Sequence, residues 1–178
     1  MPRRFSFKVV LAGDAGVGKT SLVNQFILKK FEKDYISTIG VNILLKDLDL
    51  ELDGSIYTVQ LMFWDIGGQE KYTNVRHMFY RGASAAIIVY DITRPATFLQ
   101  IPDFLQDLEQ TLTKKIPFII LGNKVDLSDN RRVDKSNADN LKETTEALAF
   151  YETSAKTGEN VEHSFKLIGE ACLKEANK

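Results

Sequence analysis

The sequence predicts an α/β fold in which a mostly parallel sheet carries one antiparallel strand pair. Three short, continuously apolar runs indicate strands buried on both faces: residues 7–12 (FKVVLA), 85–90 (AAIIVY) and 117–122 (PFIILG). Longer segments with helical spacing of apolar residues separate these runs. Residues 42–64 differ, because they alternate in places and contain Asp53-Gly54, a strong signal for a tight hairpin.

The predicted elements alternate in chain order. The first strand precedes a helical pattern, and the hairpin follows. The strand at 85–90 precedes a second helical pattern, in which Pro102 lies in the first turns or causes a kink. The third strand precedes another helical pattern and the last strand, FYET. The three helical patterns cover residues 20–31, 97–112 and 136–150. With no repeats or linkers, we expect one domain over residues 1–178.

Composition narrows the class of protein. The net charge of −1 gives no broad electrostatic case for binding nucleic acid. The single cysteine, Cys172, has no partner for an internal disulfide, which fits a reducing compartment, and we expect it to pack in the interior. His77 and His163 have no thiols or carboxylates at ligand spacing, so we expect no His/Cys zinc site.

Membrane signals are weak in the sequence given. No apolar run approaches the roughly 20 residues of a membrane helix, and the N-terminus lacks the apolar region of a signal peptide. Pro2 excludes N-myristoylation and the ending KEANK carries no prenylation box. We expect a soluble cytoplasmic monomer, peripheral on membranes only if a tail or a partner supplies an anchor.

The motif GDAGVGKT lies directly between the first strand and the first helical pattern. Its glycines let backbone N–H groups surround a phosphate chain, and the helix N-terminus adds partial positive charge. Lys19 is expected to reach the β- and γ-phosphates and assist catalysis, and the Thr20 hydroxyl to bind Mg²⁺. The alternative, a glycine-rich turn with a structural lysine, fits this context less well. The predicted phosphate-binding residues are Gly13, Asp14, Ala15, Gly16, Val17, Gly18, Lys19 and Thr20.

The motif NKVD, directly after the third strand, favours guanine. The Asp126 carboxylate can accept hydrogen bonds from guanine N1–H and the 2-amino group, and adenine has neither donor. Lys124 can lie along the base, and Asn123 can tie this loop to the phosphate-binding loop. Alone, NKVD could be an exposed polar turn. The later segment Ser154–Lys156 (SAK), after the last strand, strengthens the guanine interpretation by its order and spacing.

The stretch WDIGGQEK ends an apolar strand with a carboxylate. Asp65 stands at the strand's carboxyl end, where open α/β sheets place ligands, and could hold Mg²⁺ directly or through water. Gly68 could bring a backbone N–H to a γ-phosphate, and Gln69 could orient the attacking water as a catalytic residue. Asp65 could instead simply cap a helix, but capping does not need two consecutive glycines.

Together these motifs resemble those of Ras-superfamily small GTPases over nearly the whole chain. GDAGVGKT, TIG, WDxxGQE, NKVD and ETSAK stand in the family's order, and TIGV, FYRG, IIVYDIT and YETSAK are most similar to the Rab branch. The resemblance implies a P-loop NTPase (Ras-like G domain) fold, with a six-stranded, mostly parallel sheet and about five helices. It also implies a molecular switch between GTP-bound and GDP-bound states, and Rab-like regulation of membrane traffic.

The resemblance assigns further residues to the nucleotide site. It implies that Phe31 stacks on guanine, that Ser21 contacts the α-phosphate and that the Ala155 backbone contacts the base oxygen. Thr38, in the loop before the hairpin, would bind Mg²⁺ once a γ-phosphate is present, and Asp65 would act mainly through water. Lys156 completes the SAK part of the base site.

Hydrolysis is expected to need a partner. The segment from Thr20 to Thr38 contains no arginine, so it cannot supply one to the transition state. We therefore expect slow intrinsic turnover that a GTPase-activating protein (GAP) accelerates by contributing an arginine. Exchange factors (GEFs) and effectors would be the other partners.

Three departures from the Rab pattern leave alternatives open. Ile66-Gly67 gives WDIGGQ, as in Arf proteins; the strand pair is longer than in typical Rab members; and Ala15 replaces a glycine of Ras. These features allow a GTP-binding scaffold with little hydrolysis. A P-loop ATPase or kinase is the remaining alternative.

Overall fold

The computed structural model describes residues 3–34, 36–68 and 74–178, and places six strands in one sheet. The order across the sheet is β2-β3-β1-β4-β5-β6, and only the β2–β3 pair is antiparallel. This confirms the predicted fold class. The strands are β1 (Arg3–Ala12), β2 (Val41–Leu52), β3 (Ser55–Ile66), β4 (Ala85–Asp91), β5 (Phe118–Asn123) and β6 (Ala149–Thr153).

Six α-helices and one 3-10 helix lie within the described ranges. Only Gln100 separates α3 from α4, so the expected number of about five holds when this interrupted segment counts once. Pro102 lies in the first turn of α4, where its missing N–H has no helical partner to lose. The helices are α1 (Lys19–Leu28), α2 (Arg76–Tyr80), α3 (Pro95–Leu99), α4 (Ile101–Thr111), α5 (Lys135–Thr145) and α6 (Val161–Ala176), with the 3-10 helix at Val125–Asn130.

The third helical pattern ends earlier than the sequence indicated. Residues 136–150 were expected to be helical, but α5 ends at Thr145. Glu146 adopts the left-handed conformation (φ 59°) and donates its N–H to the Lys142 carbonyl. The chain then turns into β6 at Ala149. The prediction was wrong here because a left-handed glutamate is not a recognisable stop signal.

Two apolar layers cover the two faces of the sheet. Successive strand residues point to opposite faces, so Val9 belongs to one layer and Val10 to the other. The first layer packs under α1 and α6, where the Phe26 and Phe165 rings lie 4.9 Å apart between centroids. Cys172 is buried in this layer, as expected. The second layer packs under α4 and α5, and β4 between the layers is buried along its whole length.

The hairpin forms where Asp53-Gly54 predicted it. Both residues have positive φ (51° and 75°), as a type I′ turn requires, and Leu52 pairs with Ser55 across the turn. Each strand of the pair is twelve residues long. Among the described residues, no helix is both long and apolar enough to cross a membrane.

The strand register brings polar side chains to one edge of the sheet. Leu11 pairs with Asp65 across β1 and β3, and Asp91 pairs with Asn123 across β4 and β5. Asn123 in turn pairs with Thr153 of β6. Because β1, β3, β4, β5 and β6 are parallel, their carboxyl ends meet at this edge.

Candidate nucleotide-binding site

The lysine of the phosphate-binding loop (the P-loop, residues 13–20) donates hydrogen bonds to carbonyls of the same loop. The Lys19 ammonium donates to the carbonyls of Gly13 (2.6 Å) and Asp14 (2.9 Å) and is only 6% exposed. Burial lowers the pKa of Lys19 to about 8, although the nearby carboxylates of Asp65 and Asp14 oppose the shift. A buried cation at the start of α1 is therefore fixed in the loop that the sequence predicted.

The next three carbonyls of this loop accept hydrogen bonds from side chains of other segments. Each accepts one hydrogen bond from a side chain of another loop: Ala15 from Arg94 Nη1 (3.0 Å), Gly16 from Lys124 Nζ (2.7 Å) and Val17 from Asn123 Nδ2 (2.9 Å). Five consecutive carbonyls thus accept from side chains. The loop is fixed through its carbonyls, and the Ala15 N–H donates to Asp14 Oδ1, which leaves the other N–H groups of the loop as donors for an anion.

Two hydroxyls and one carboxylate converge beside Lys19. Thr20 Oγ1 lies 2.8 Å from Thr38 Oγ1 and donates a short hydrogen bond to Asp65 Oδ2. Asp65 is fully buried, and its Oδ1 has no hydrogen-bond partner among the described residues. Burial raises the pKa of Asp65, while the Thr20 hydrogen bond and the Lys19 charge lower it. These are the three residues predicted to serve a metal.

Gly68 lies directly against the phosphate-binding loop. A β-carbon on Gly68 would meet three backbone atoms: Ala15 N (2.5 Å), the Asp14 carbonyl carbon (2.5 Å) and Gly13 O (2.6 Å). No side chain fits in this space, which explains a glycine at this position. Gln69, the predicted water-orienting residue, lies outside the described residues.

The base-binding motifs form a connected hydrogen-bond network. Asn123 Oδ1 accepts from Thr153 Oγ1 (3.2 Å) and the Ala155 N–H (3.3 Å), so one buried amide joins the β5 and β6 ends to the P-loop. Ser154 donates to Asp126 Oδ1 at 2.6 Å, which fixes that carboxylate. The predicted tie between NKVD and the P-loop is confirmed by the Asn123–Val17 contact.

A cavity of about 200 Å³ separates the P-loop from the loop before the hairpin. Phe31 lines it and is 38% exposed, and Ser21, Thr38, Gly68 and Lys124 also contribute. Lys156 lies exposed in the turn after Ala155. The predicted phosphate, metal and base residues therefore gather around one edge of the sheet.

Comparison with known proteins agrees with this geometry. A family model described as the Ras family matches residues 8–174. The chain belongs to the Ras family. It is 38% identical to the Ras-related protein RABG3f of Arabidopsis thaliana over 178 residues, which cover 97% of this chain and 84% of the relative. It is 39% identical both to human Rab-30 (94% of this chain, 82% of the relative) and to Drosophila melanogaster Rab7 (93% and 80%).

Membership of the Ras family establishes the class of activity. The protein is a small GTPase switch that binds guanine nucleotides and hydrolyses GTP, and its similarity to Rab proteins confirms the predicted branch. The P-loop NTPase fold is likewise that of the Ras family. The ATPase or kinase alternative is therefore set aside.

Two charged residues of this Ras-family site were missed in the sequence. Asp91, at the carboxyl end of β4, is 1% exposed and forms an ion pair with Lys124 (2.7 Å). Arg94, three residues later, reaches Ala15. The rule that singled out Asp65, a polar side chain ending a buried strand, applies equally to Asp91 and would have found it.

Proposed function

We propose that residues 1–178 form a single G domain that binds GTP and GDP with Mg²⁺ and hydrolyses GTP slowly, as a regulator of membrane traffic. The proposal is carried by one arrangement: the carbonyls of residues 13–17 are all held by side chains, beside a buried carboxylate and two hydroxyls. The role in traffic is inferred from the similarity to Rab proteins.

Mg²⁺ would be held by the hydroxyls of Thr20 and Thr38, with Asp65 acting mainly through water. The residues fit the ion, because Asp65 Oδ1 is a buried acceptor without a partner among the described residues and oxygen ligands suit magnesium. When bound, the ion would neutralise charge on the phosphate oxygens. Thr38 would join the metal site to the loop before the hairpin, so that loop would order when a γ-phosphate is present.

Guanine would be recognised at the ends of β5 and β6. Asp126, fixed by Ser154, would accept from guanine N1–H and the 2-amino group. The Lys124 stem and the Phe31 ring would lie against the base, and the backbone at Ala155 would contact its oxygen. Lys156 borders this site.

Hydrolysis would depend on positioning rather than on covalent chemistry. Lys19 would stabilise charge on the γ-phosphate, the Gly68 N–H would contact it, and Gln69 would orient the attacking water. The Arg94 guanidinium is engaged by the Ala15 carbonyl and the Asp14 carboxylate of the P-loop. A GAP would therefore supply the missing arginine and accelerate turnover by about 10³- to 10⁵-fold.

The remaining parts of the proposal concern partners and location. GEFs would exchange the nucleotide, and effectors would read the loops around Thr38 and Gly68 in the GTP state. We propose that the protein works as a cytoplasmic monomer that becomes peripheral on membranes through a tail or a partner.

A nucleotide titration tests this proposal. Nucleotide-free protein is titrated with GDP, GTP and ATP, with and without Mg²⁺, and compared with the Asp126→Asn variant. We expect guanine nucleotides to bind at least about 10⁴-fold more tightly than ATP, and the variant to lose most of this preference. Equal affinity of the wild-type protein for ATP and GTP would contradict the proposed base site.

A further inference from the structure

Side-chain hydrogen bonds hold the turn between β4 and α3. Thr97 is fully buried; its hydroxyl accepts from the Asp91 N–H (3.0 Å) and donates to the Arg94 carbonyl (2.7 Å). The Thr93 N–H donates to Asp91 Oδ1 (2.9 Å). Pro95 restricts Arg94 to an extended backbone, which Arg94 adopts (φ −129°, ψ 93°). The Arg94 side chain therefore projects from a fixed base.

The Arg94 side chain crosses to the P-loop. Nη1 donates to the Ala15 carbonyl (3.0 Å), and Nη2 lies 3.4 Å from Asp14 Oδ2. One guanidinium thus contacts two consecutive P-loop residues. The Arg94 side chain is 44% exposed and that of Asp14 is 24% exposed, so both charges remain near water.

Asp14 places a negative charge in a loop that binds phosphate. Its Oδ1 accepts from the Ala15 N–H at 2.7 Å, so the carboxylate is folded back onto the loop backbone. A carboxylate so placed repels a phosphate chain, and the repulsion is larger for the more highly charged GTP than for GDP. Among the described residues, Arg94 forms the ion pair with Asp14 Oδ2, and the buried Lys19 is a second positive charge near this carboxylate.

We propose that Arg94 is a positioning residue for the nucleotide, which offsets the Asp14 charge and holds the Ala15 carbonyl so that the P-loop retains GTP. This inference rests on the proposed nucleotide site. It differs from the role of an arginine finger, because Arg94 acts on the loop and not on the transferred phosphate. It predicts that Arg94 matters more for GTP than for GDP, and that its effect depends on Asp14.

The test compares dissociation rates of a fluorescent, non-hydrolysable GTP analogue and of fluorescent GDP at fixed Mg²⁺. The variants are Arg94→Ala, Arg94→Lys, Asp14→Asn and the double variant Arg94→Ala/Asp14→Asn. The matched control is Arg4→Ala, which breaks another exposed arginine–aspartate pair (Arg4–Asp47, 3.0 Å) at the opposite end of β1. Thermal unfolding of each variant verifies that it is folded.

We expect Arg94→Ala to release the GTP analogue about two- to fivefold faster than wild type, and to accelerate GDP release less. Both effects should become smaller at high salt. The release rate of the GTP analogue from Arg94→Lys should lie between the rates of wild type and Arg94→Ala, because the positive charge remains. On the Asp14→Asn background the effect of removing Arg94 should largely disappear. Arg4→Ala should match wild type.

Two results would overturn the inference: Arg94→Ala behaving like Arg4→Ala, or Arg94→Ala keeping its full effect on the Asp14→Asn background. Either result leaves nucleotide binding by the wild-type protein intact and so contradicts only the role of Arg94. A wild-type protein that retained neither nucleotide would contradict the proposed function, and this inference with it.

Discussion

Gly68 approaches Ala15 so closely that a β-carbon on Gly68 would lie 2.5 Å from the Ala15 amide nitrogen. The atoms around it belong to the P-loop backbone, which Lys19 and Arg94 hold in place through its carbonyls. The backbone at residue 68 therefore packs directly on the P-loop and leaves no room for a side chain between them. This contact is the direct physical link between the phosphate site and the segment that follows β3.

The Gly68→Ala substitution should weaken the response to the γ-phosphate. The added methyl group has only backbone to push against, so residue 68 must move away from the P-loop. We expect the affinity for GTP to fall by about tenfold relative to the affinity for GDP, measured by competition binding.

The matched control for this substitution is Gly169→Ala. Gly169 lies in α6, and the three nearest neighbours of an added β-carbon there are leucine side-chain carbons at 3.3 Å or more. It should leave the ratio of GTP to GDP affinity unchanged. If Gly68→Ala also leaves that ratio unchanged, the proposed γ-phosphate contact of Gly68 is wrong.

The Asp65→Asn substitution should weaken Mg²⁺ binding without large changes in packing. Asparagine has nearly the same shape but lacks the negative charge of this buried carboxylate. Outer-shell partners of metals typically contribute about 10- to 100-fold in metal affinity. The Mg²⁺ concentration that slows release of fluorescent GDP should rise by this factor, whereas the exposed-surface control Asp103→Asn should match wild type. An unchanged Mg²⁺ requirement would remove Asp65 from the metal site.

The ion pair between Arg76 and Asp107 should stabilise the packing of α2 against α4. Arg76 Nη2 lies 2.8 Å from Asp107 Oδ2, and the guanidinium lies 4.6 Å above the centroid of the Phe104 ring, so α2 is fastened to α4. Asp107→Asn should lower the free energy of unfolding by about 1 kcal/mol. Urea unfolding, followed through Trp64, the single tryptophan, measures this effect.

The control for the α2–α4 pair is Glu162→Gln, which removes an ion pair (Lys29–Glu162, 2.8 Å) whose side chains are 59% and 70% exposed. Exposed pairs contribute little, so this variant should unfold at nearly the wild-type urea concentration. Equal losses of unfolding free energy in the two variants would show that the Arg76–Asp107 pair stabilises the fold no more than an exposed ion pair does.

Cys172 should be unreactive in the folded protein. Burial raises the pKa of its thiol from 9 to about 12, so little thiolate forms at pH 8. Because the folded pKa is raised, the stability linked to this proton is present below about pH 9 and is lost as the pH rises from 9 towards 12. A thiol reagent should label one cysteine quickly in urea and scarcely any in buffer at pH 8. Rapid labelling in buffer would show that α6 opens readily.

The sequence predicted correctly those structural features that depend on residues adjacent in the chain. The apolar runs predicted the buried strands, and Asp53-Gly54 predicted the hairpin, because burial and turn geometry depend on adjacent residues. The P-loop was likewise recognisable from eight consecutive residues. The end of α5 was misjudged because the left-handed conformation of Glu146 has no such local signature.

Contacts between distant segments explain what the sequence could not provide. Arg94 and Ala15 are 79 residues apart and meet only because β4 pairs with β1 in parallel register. The same holds for Thr153 and Asn123, which meet across β5 and β6. Side-chain chemistry predicted that Asn123 would hold the P-loop, but the acceptor, Val17, depended on the three-dimensional arrangement.

Single-turnover hydrolysis of GTP by the wild-type protein and by Gln69→Leu tests the central claim most directly. Both proteins are loaded with GTP, Mg²⁺ is added, and the release of phosphate is followed without any partner. The proposed mechanism predicts a wild-type rate well below about 1 s⁻¹, and a clearly slower rate for Gln69→Leu because the water loses its orienting amide. Equal rates for the two proteins would contradict the mechanism and favour a GTP-binding scaffold, and a wild-type rate near 1 s⁻¹ would contradict the need for an arginine from a partner.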